Sequence, residues 1–500
     1  MHSVKVRERI CLVIPPSVFL LDERVFMTLG ILRVAAVVEK AGYPVDMLDL
    51  SGIQNYAEVV SDYLAGHDTK TFCLTATTPQ MPAVCAIVAV LRQERPRAHL
   101  VLGGPHVTLV NAAYRQELKT GKIRRAHHAF KRLEDMFDTL VAGDGEDAIF
   151  TALGDNPPRL VDADQPQSQL FLTNKRLGEL PMPARHLVDV ESYRYYIDGE
   201  RALSLIAQLG CPFACGFCGG RKSPSLRRIR MRSHDSVVAE VELLYTAYGV
   251  KGFMLYDDEL NVNRGVVELM HALRELQDRL KVEFRLRGFI KAELFTDEQA
   301  EEMYRAGFRW ILTGFESGSP RILSNINKKA SREDNTACVE IARRHGLKVK
   351  GLMSIGHPGE SEETAAQTLE WLLQVRPDDF DVTIITTYPG TPYYDDAEPH
   401  PDLPNVWTYS FNGDNLHAYE LDYTQVADYY KGDPDGGYKA YVFTDFMSSE
   451  DLVRKREQIE NEVRNKLGIP FNASRAAMQY EHSMGQQHLP ASILRSSLKP

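Results

Sequence analysis

The chain has 500 residues, 44% hydrophobic and 25% charged, an ordinary globular balance with room for about three domains; disordered, collagen-like and membrane-bundle chains are excluded. Lys plus Arg number 58 against 68 Asp plus Glu, a formal charge of −10, so no overall basic field exists to gather nucleic acid. The 7 cysteines lack the regular spacing of a disulfide-stapled secreted domain, which points to a reducing compartment, the cytoplasm.

Lys5, Arg7 and Arg9 precede the apolar run Ile10 to Leu21, an outline shared with signal peptides. Pro15 and Pro16 interrupt the run, no small-residue cleavage site follows it, and it is too short to span a bilayer, so a buried first strand is expected. No other stretch is apolar enough for a membrane helix. From residue 10 to 153 short apolar runs (Ile10 to Ile14, Val45 to Leu50, Phe72 to Ala76, Leu100 to Leu102) alternate with helical patterns such as Leu29 to Ala41, which predicts a parallel α/β sheet. The proline-rich stretch 154–200 reads as a linker.

From residue 203 the alternation repeats six times, with strands predicted at Leu203 to Leu209, Phe253 to Tyr256, Val282 to Leu286, Trp310 to Phe315, Val349 to Ile355 and Val382 to Thr387. Helices are expected at Ser236 to Tyr248, Asp297 to Ala306, Arg332 to His345 and Glu362 to Val375. Six such units predict an incomplete TIM-like barrel with its chemistry at the strand carboxyl ends. The Tyr-rich part that follows reads as a small appended domain with one helix, about Glu450 to Lys466, capped by Ser448; the polar tail from Asn472 is expected to be mobile. The expected fold class is therefore α/β: a Rossmann-like domain over 1–153, the linker over 154–200, a partial (β/α)6 TIM-like barrel over 201–395, and a small C-terminal α+β or helical domain over 396–500.

The strongest chemical signal is Cys211-Pro212-Phe213-Ala214-Cys215-Gly216-Phe217-Cys218, placed after the first barrel strand. Three soft thiolates select an iron–sulfur cluster or zinc, and no fourth ligand is spaced to close a structural zinc site unless His234 is borrowed. Three ligands leave one iron of a cubane open. Cys11, Cys73, Cys85 and Cys338 fall in strands or helices and are expected to be buried core thiols. The six cations Arg221, Lys222, Arg227, Arg228, Arg230 and Arg232 read as a solvated loop face, with binding of an anionic substrate as the alternative.

With Tyr256-Asp257-Asp258-Glu259, Gly314-Phe315-Glu316-Ser317-Gly318-Ser319, Gly356-His357-Pro358-Gly359-Glu360 and Tyr388-Pro389-Gly390-Thr391-Pro392 each at the end of an apolar run, the region resembles the radical S-adenosylmethionine (SAM) superfamily over about 200–395. The resemblance implies that Cys211, Cys215 and Cys218 hold a [4Fe–4S] cluster whose open iron chelates SAM, which an injected electron cleaves to a 5′-deoxyadenosyl radical. It further implies that Phe217 flanks the adenine, that Asp257, Asp258 and Glu259 face the SAM ammonium, and that Glu316 and Ser317 reach the ribose or methionine part. An electron donor such as flavodoxin or ferredoxin is implied as well.

The α/β domain before such a barrel resembles the cobalamin-binding branch of the superfamily, through Leu102-Gly103-Gly104-Pro105-His106 and Gly143-Asp144-Gly145-Glu146. The glycines would permit close backbone approach to a large flat ligand. By that resemblance Thr77, Thr78, Gly103, Gly104, Pro105, His106, Gly143, Gly145 and Glu146 line the cobalamin site. No Asp-x-His-x-x-Gly signature is present, so no protein imidazole on cobalt is expected. The implied activity is methylation of an unactivated carbon, or phosphorus, of a small molecule through methylcobalamin and the deoxyadenosyl radical, with no nucleic-acid or membrane partner. Alternatives are a cobalamin-dependent cyclase or ring-rearranging enzyme, a tRNA methylthiotransferase, and a non-catalytic electron carrier. The residues performing the chemistry, the substrate and the oligomeric state are not readable from sequence.

Overall fold

The computed structural model describes residues 7–17, 23–431 and 438–470. Its first unit comprises β1 (Ile10–Ile14), α1 (Leu29–Lys40), β2 (Val45–Asp49), α2 (Tyr56–Gly66), β3 (Thr71–Thr75), α3 (Met81–Glu94), β4 (His99–Gly103), α4 (Pro105–Thr120), α5 (Arg125–Met136), β5 (Thr139–Ala142), α6 (Gly145–Ala152) and β6 (Leu160–Asp162). The sheet is parallel throughout, in the order β2-β1-β3-β4-β5-β6. Both faces are covered, which is why β1 is an unbroken apolar run: Cys11 and Val13 enter one core, Ile10, Leu12 and Ile14 the other. Strand order reverses between β1 and β3, and the crevice such a reversal opens lies at their carboxyl ends, beside Pro15, Pro16 and Thr77.

The expected linker is structured. It supplies β6 to the first sheet, then α7 (Asn174–Glu179), and then β7 (Tyr195–Ile197), which pairs antiparallel with β8 (Glu200–Leu205). Prolines occupy only its turns and left those short strands unread. After the two-residue ribbon of β9 (Gln208–Leu209) and β10 (Arg230–Met231), which encloses α8 (Pro224–Arg227), the barrel continues: α9 (His234–Tyr248), β11 (Gly252–Leu255), α10 (Val266–Leu280), β12 (Arg285–Phe289), α11 (Asp297–Arg305), β13 (Phe308–Glu316), α12 (Pro320–Asn325), α13 (Arg332–Arg344), β14 (Lys348–Ile355), α14 (Glu362–Val375) and β15 (Asp379–Ile384). The sheet order is β15-β14-β13-β12-β11-β8-β7, six parallel strands plus the antiparallel edge. Strand alternation sorts the side chains: Leu203, Phe253, Leu286 and Ile311 bury under the helices, while Ala202, Met254 and Leu312 turn inward against Tyr195, Ile197 and Val25.

The third barrel strand starts later than the apolar run Val282 to Leu286 predicted, because Gln277 ties the preceding residues into a turn, its carbonyl accepting from Val282 and its side chain from Phe284. The Tyr-rich region, after α15 (Pro392–Asp395), is an antiparallel sheet of β16 (Glu398–Pro399), β17 (Val406–Phe411), β18 (Asp414–Tyr419) and β19 (Val442–Thr444), with α16 (Asp428–Lys431) in one connection, followed by α17 (Ser449–Leu467). Ser448 caps α17 as expected, in a reciprocal box with Asp451. Its core is continuous with the barrel's, since Tyr409, Leu416, Ile459 and Val463 join Phe315 and Val382 in one cluster. Helix α17 also closes the barrel's open edge: Glu460 accepts from the Val382 amide at 2.7 Å and Arg456 donates to the Val382 carbonyl at 2.9 Å. The tail from Asn472 lies outside the described residues.

Candidate functional site

The three cysteines sit in the loop joining β9 to α8, and the fold itself places that loop. Gly210, at φ +86, lets the chain pass the Arg228 carbonyl, where a Cβ would stand 2.1 Å away. The Cys211 amide donates to Leu226, the Gly216 amide to Ile326 at 2.8 Å, and the Asn327 side chain to the Ala214 carbonyl at 3.2 Å. Arg227 donates to the Pro212 and Phe213 carbonyls. Every one of these anchors uses backbone or an intervening residue, so the fold makes little use of the thiols: Cys211 and Cys215 are half-buried, and exposed Cys218 donates only to the adjacent Gly219 carbonyl at 3.5 Å. Burial pushes the Cys211 thiol up to about 11 and also raises Cys215, on which the neighbouring Lys328 and Lys291 act in the opposite sense. Such thiols gain most by becoming ligands, and three of them without a fourth cysteine in the loop suit a cluster with one open iron. The remaining cysteines are elsewhere: Cys11, Cys73 and Cys338 are buried as expected, whereas Cys85 is only half-buried, against Met136.

The acidic residues after β11 do three different things. Asp257 is buried and its Oδ1 accepts from the Ala207 and Gln208 amides at 2.8 and 2.7 Å, so it fastens the β8–β9 connection to the end of β11 while its Oδ2 is buried without a hydrogen-bond partner; burial pushes its pKa up to about 7. Asp258 is exposed and accepts from the Gly210 amide beside Cys211. Glu259 is raised to about 7 by burial, against the pull of Lys328 and Lys291. Glu316, with φ +64, anchors a buried chain: Lys328 Nζ lies 2.9 Å from its Oε1, Ser354 donates to Oε2 at 2.8 Å, and Ser354 in turn meets His357 Nε2 at 2.7 Å. His357 Nδ1 is 3.1 Å from the Tyr393 hydroxyl, and its ring packs edge-on to Phe217 at 5.4 Å. Ser317, expected at SAM, turns the other way and bonds Thr368 on α14 at 2.9 Å, because the chain must tie the loop after β13 to that helix.

In the first domain the structure corrects the reason for the glycines. A Cβ on Gly104 would stand 2.4 Å from Thr75 Oγ1, and one on Gly143 2.5 Å from the Asp164 amide, both at positive φ; on Gly145 it would meet Val34 at 3.0 Å. These glycines clear the protein's own chain. Gly103 is unconstrained, its nearest neighbour 3.8 Å away. His106 is buried with Nδ1 3.0 Å from Thr78 Oγ1, and burial lowers its pKa to about 3, so it is a neutral core histidine. Glu146 is buried 3.6 Å from Arg33. Thr77 and Pro105 are the expected residues left exposed at the carboxyl edge of the sheet.

The two carboxyl edges face each other. Leu109 of α4 packs on Gly219, just past Cys218, and on Gly390; Asp144 after β5 pairs with Arg230; Phe26 packs with its ring tilted 4.9 Å from that of Tyr256 after β11. Asp164 accepts from the Ser223 hydroxyl and the Ser225 amide and hydroxyl. The basic run is thus largely internal: Arg227, Arg230 and Arg232 are staples, the last to buried Glu240, and only Lys222 and Arg228 are exposed, because Asp144, Glu240 and loop carbonyls required cations.

Comparison with known proteins agrees with this architecture. The model of the radical SAM superfamily matches residues 205–372, and that of the B12 binding domain matches 23–134. An uncharacterized methyltransferase of Pyrococcus horikoshii is 26% identical over 405 residues, 77% of this chain and 82% of that one. The anaerobic magnesium-protoporphyrin IX monomethyl ester cyclase of Cereibacter sphaeroides is 24% identical over 393 residues, 75% of this chain and 61% of that one. Among solved structures, the radical SAM methyltransferase TsrM from Kitasatospora setae, with cobalamin and a [4Fe–4S] cluster bound, superposes with TM-score 0.60 at 16% identity, covering 94% of this chain and 92% of that one. Residues 205–372 thus match the radical SAM superfamily and residues 23–134 the B12 binding domain, the two parts that take SAM and cobalamin as cofactors.

Proposed function

We propose that the protein is a cobalamin-dependent radical SAM methyltransferase that methylates an unactivated carbon, or phosphorus, of a small molecule. The observation carrying this reading is the facing of the two carboxyl edges through Leu109, Asp144–Arg230 and Phe26–Tyr256, which leaves the three thiols on one side and the crevice at β1 and β3 on the other. When bound, the cluster with SAM supplies an organic radical and the corrin a transferable methyl group, the pairing needed because a carbon radical cannot take a methyl from a sulfonium by polar attack. The chain's part is placement. Cys211, Cys215 and Cys218 hold the cluster; Phe217, backed by His357, borders the adenine; Glu316, held by Lys328 and Ser354, together with Asp258 and Glu259, meets the polar parts of SAM. Thr77, Pro105 and Gly103 border the corrin, while Thr78, Gly104, His106, Gly143, Gly145 and Glu146 shape that border from within.

A low-potential flavodoxin or ferredoxin delivers the electron, and this small-molecule reading assigns no nucleic-acid partner. Cytoplasmic residence accords with 7 free cysteines, and no described helix is long and apolar enough to cross a membrane. The test is an anaerobic incubation of the reconstituted protein with cobalamin, methyl-labelled SAM, dithionite and candidate substrates. Labelled product with 5′-deoxyadenosine and S-adenosylhomocysteine is expected. The likeness to the cyclase favours a second reading, and a cyclised or rearranged product without labelled methyl would replace the first by it.

A further inference from the structure

Two buried lysines stand beside the cysteine loop. Lys291, after β12, is 1% exposed, and Lys328, between α12 and α13, is 5% exposed. Lys291 Nζ lies 4.0 Å from the centre of the Phe213 ring, inside the cysteine array, and 3.3 Å from the Lys328 carbonyl. The segment carrying Lys328 is the one fastened to the loop, through Ile326 to Gly216 and Asn327 to Ala214. The charged groups around them are Glu293, paired with Lys291; Glu316, paired with Lys328; and half-buried Glu259, which both lysines face.

A buried ammonium is retained only against strong negative charge, since its removal from water costs several kcal/mol before pairing. Here two ammonium groups stand among three carboxylates and three thiols. A reduced cluster adds one more negative charge to the same spot, and the potential of such a cluster follows the fixed charge around it. On the reading that the three cysteines hold a cluster, we propose that Lys291 and Lys328 are positioning residues whose fixed positive charge beside Cys215 raises the reduction potential of that cluster and so sets how readily it accepts the electron that starts the reaction. The step is a one-electron transfer from an external reductant, with no bond made or broken in the protein.

The full-length protein and its Lys291→Gln, Lys328→Gln, Lys291→Arg, Lys328→Arg and Lys329→Gln variants would be reconstituted anaerobically with iron and sulfide, assayed for iron, and titrated with dithionite while the reduced-cluster electron paramagnetic resonance signal is read. Each buried-lysine Gln variant is expected to hold about tenfold less reduced cluster relative to oxidised at a given potential, a shift of about 59 mV to the negative for one electron. The Arg variants and Lys329→Gln, a change at an exposed neighbour, should titrate with the parent. Gln variants that load iron fully and titrate with the parent would overturn the proposal. Should the Gln variants fail to load, Arg variants that load and titrate normally support it, and Arg variants that also fail overturn it. A parent protein that assembles no cluster refutes the ligand assignment itself, an outcome distinct from an unshifted potential.

Discussion

The cysteine loop and the glycine loops of the first domain follow strands of similar sheets, yet they spend their residues differently. Around Cys211 to Cys218 the backbone is satisfied by Leu226, Ile326 and Asn327, and the donors with metal affinity are surplus to the fold. Around Gly104 and Gly143 the polar and small residues are consumed by the fold: the glycines clear Thr75 and Asp164, His106 bonds Thr78, and Glu146 meets Arg33. Residues the fold does not need are the ones that report a ligand. A motif the fold fully uses reports the fold.

The sharpest break of that comparison is at the thiols. Cys215→Ala should abolish cluster assembly, while Cys85→Ala and Cys338→Ala leave iron and sulfide content of the anaerobically reconstituted protein unchanged; normal iron in the Cys215 variant would remove the ligand assignment. Next in size is Arg230→Ala, which strands Asp144 where the two edges meet. Both side chains are at most 10% exposed, so a loss of about 3–5 kcal/mol in denaturant unfolding is expected.

A pair of glycine variants tests the other half. Gly143→Ala, at φ +87 with a Cβ 2.5 Å from the Asp164 amide, should cost about 3 kcal/mol, whereas Gly103→Ala, with 3.8 Å of clearance, should cost under about 1 kcal/mol. Equal costs would mean that Gly143 is not held by β6. The smallest effect is a pH slope. Asp257 is raised from 3.8 to about 7, so the unfolded chain binds fewer protons than the folded one between those values, and stability falls as pH rises through that window and then levels. Asp257→Asn should flatten that slope in melts taken from pH 4 to pH 7 while the cluster still loads; an unchanged slope would place its origin elsewhere.

Much of this organisation was legible along the chain. Helix α14 spans the residues its 3.6-residue pattern predicted, Ser448 caps α17, and the cysteine array lies at a strand end, because capping, amphipathic period and thiol spacing are all local. The linker was misread since β6 and β7 have three residues each, too few for a pattern, and exist only because a sheet edge was available to each. Lys291 went unnoticed although it directly follows the strand-end residues Phe289 and Ile290; a lone lysine at a barrel strand end is the signal that was there.

By itself the sequence determined the two parallel sheets, their order in the chain and the three thiolate donors, since each rests on residues within a few positions of one another. Only the tertiary structure decided that Asp257 serves backbone amides, that Ser317 turns to Thr368, that Arg227, Arg230 and Arg232 are internal staples, and that Lys291 and Lys328 meet at Phe213. The physical reason is that a charged or polar side chain takes its role from the partner burial forces on it, and those partners lie from 8 to 86 residues away in the chain.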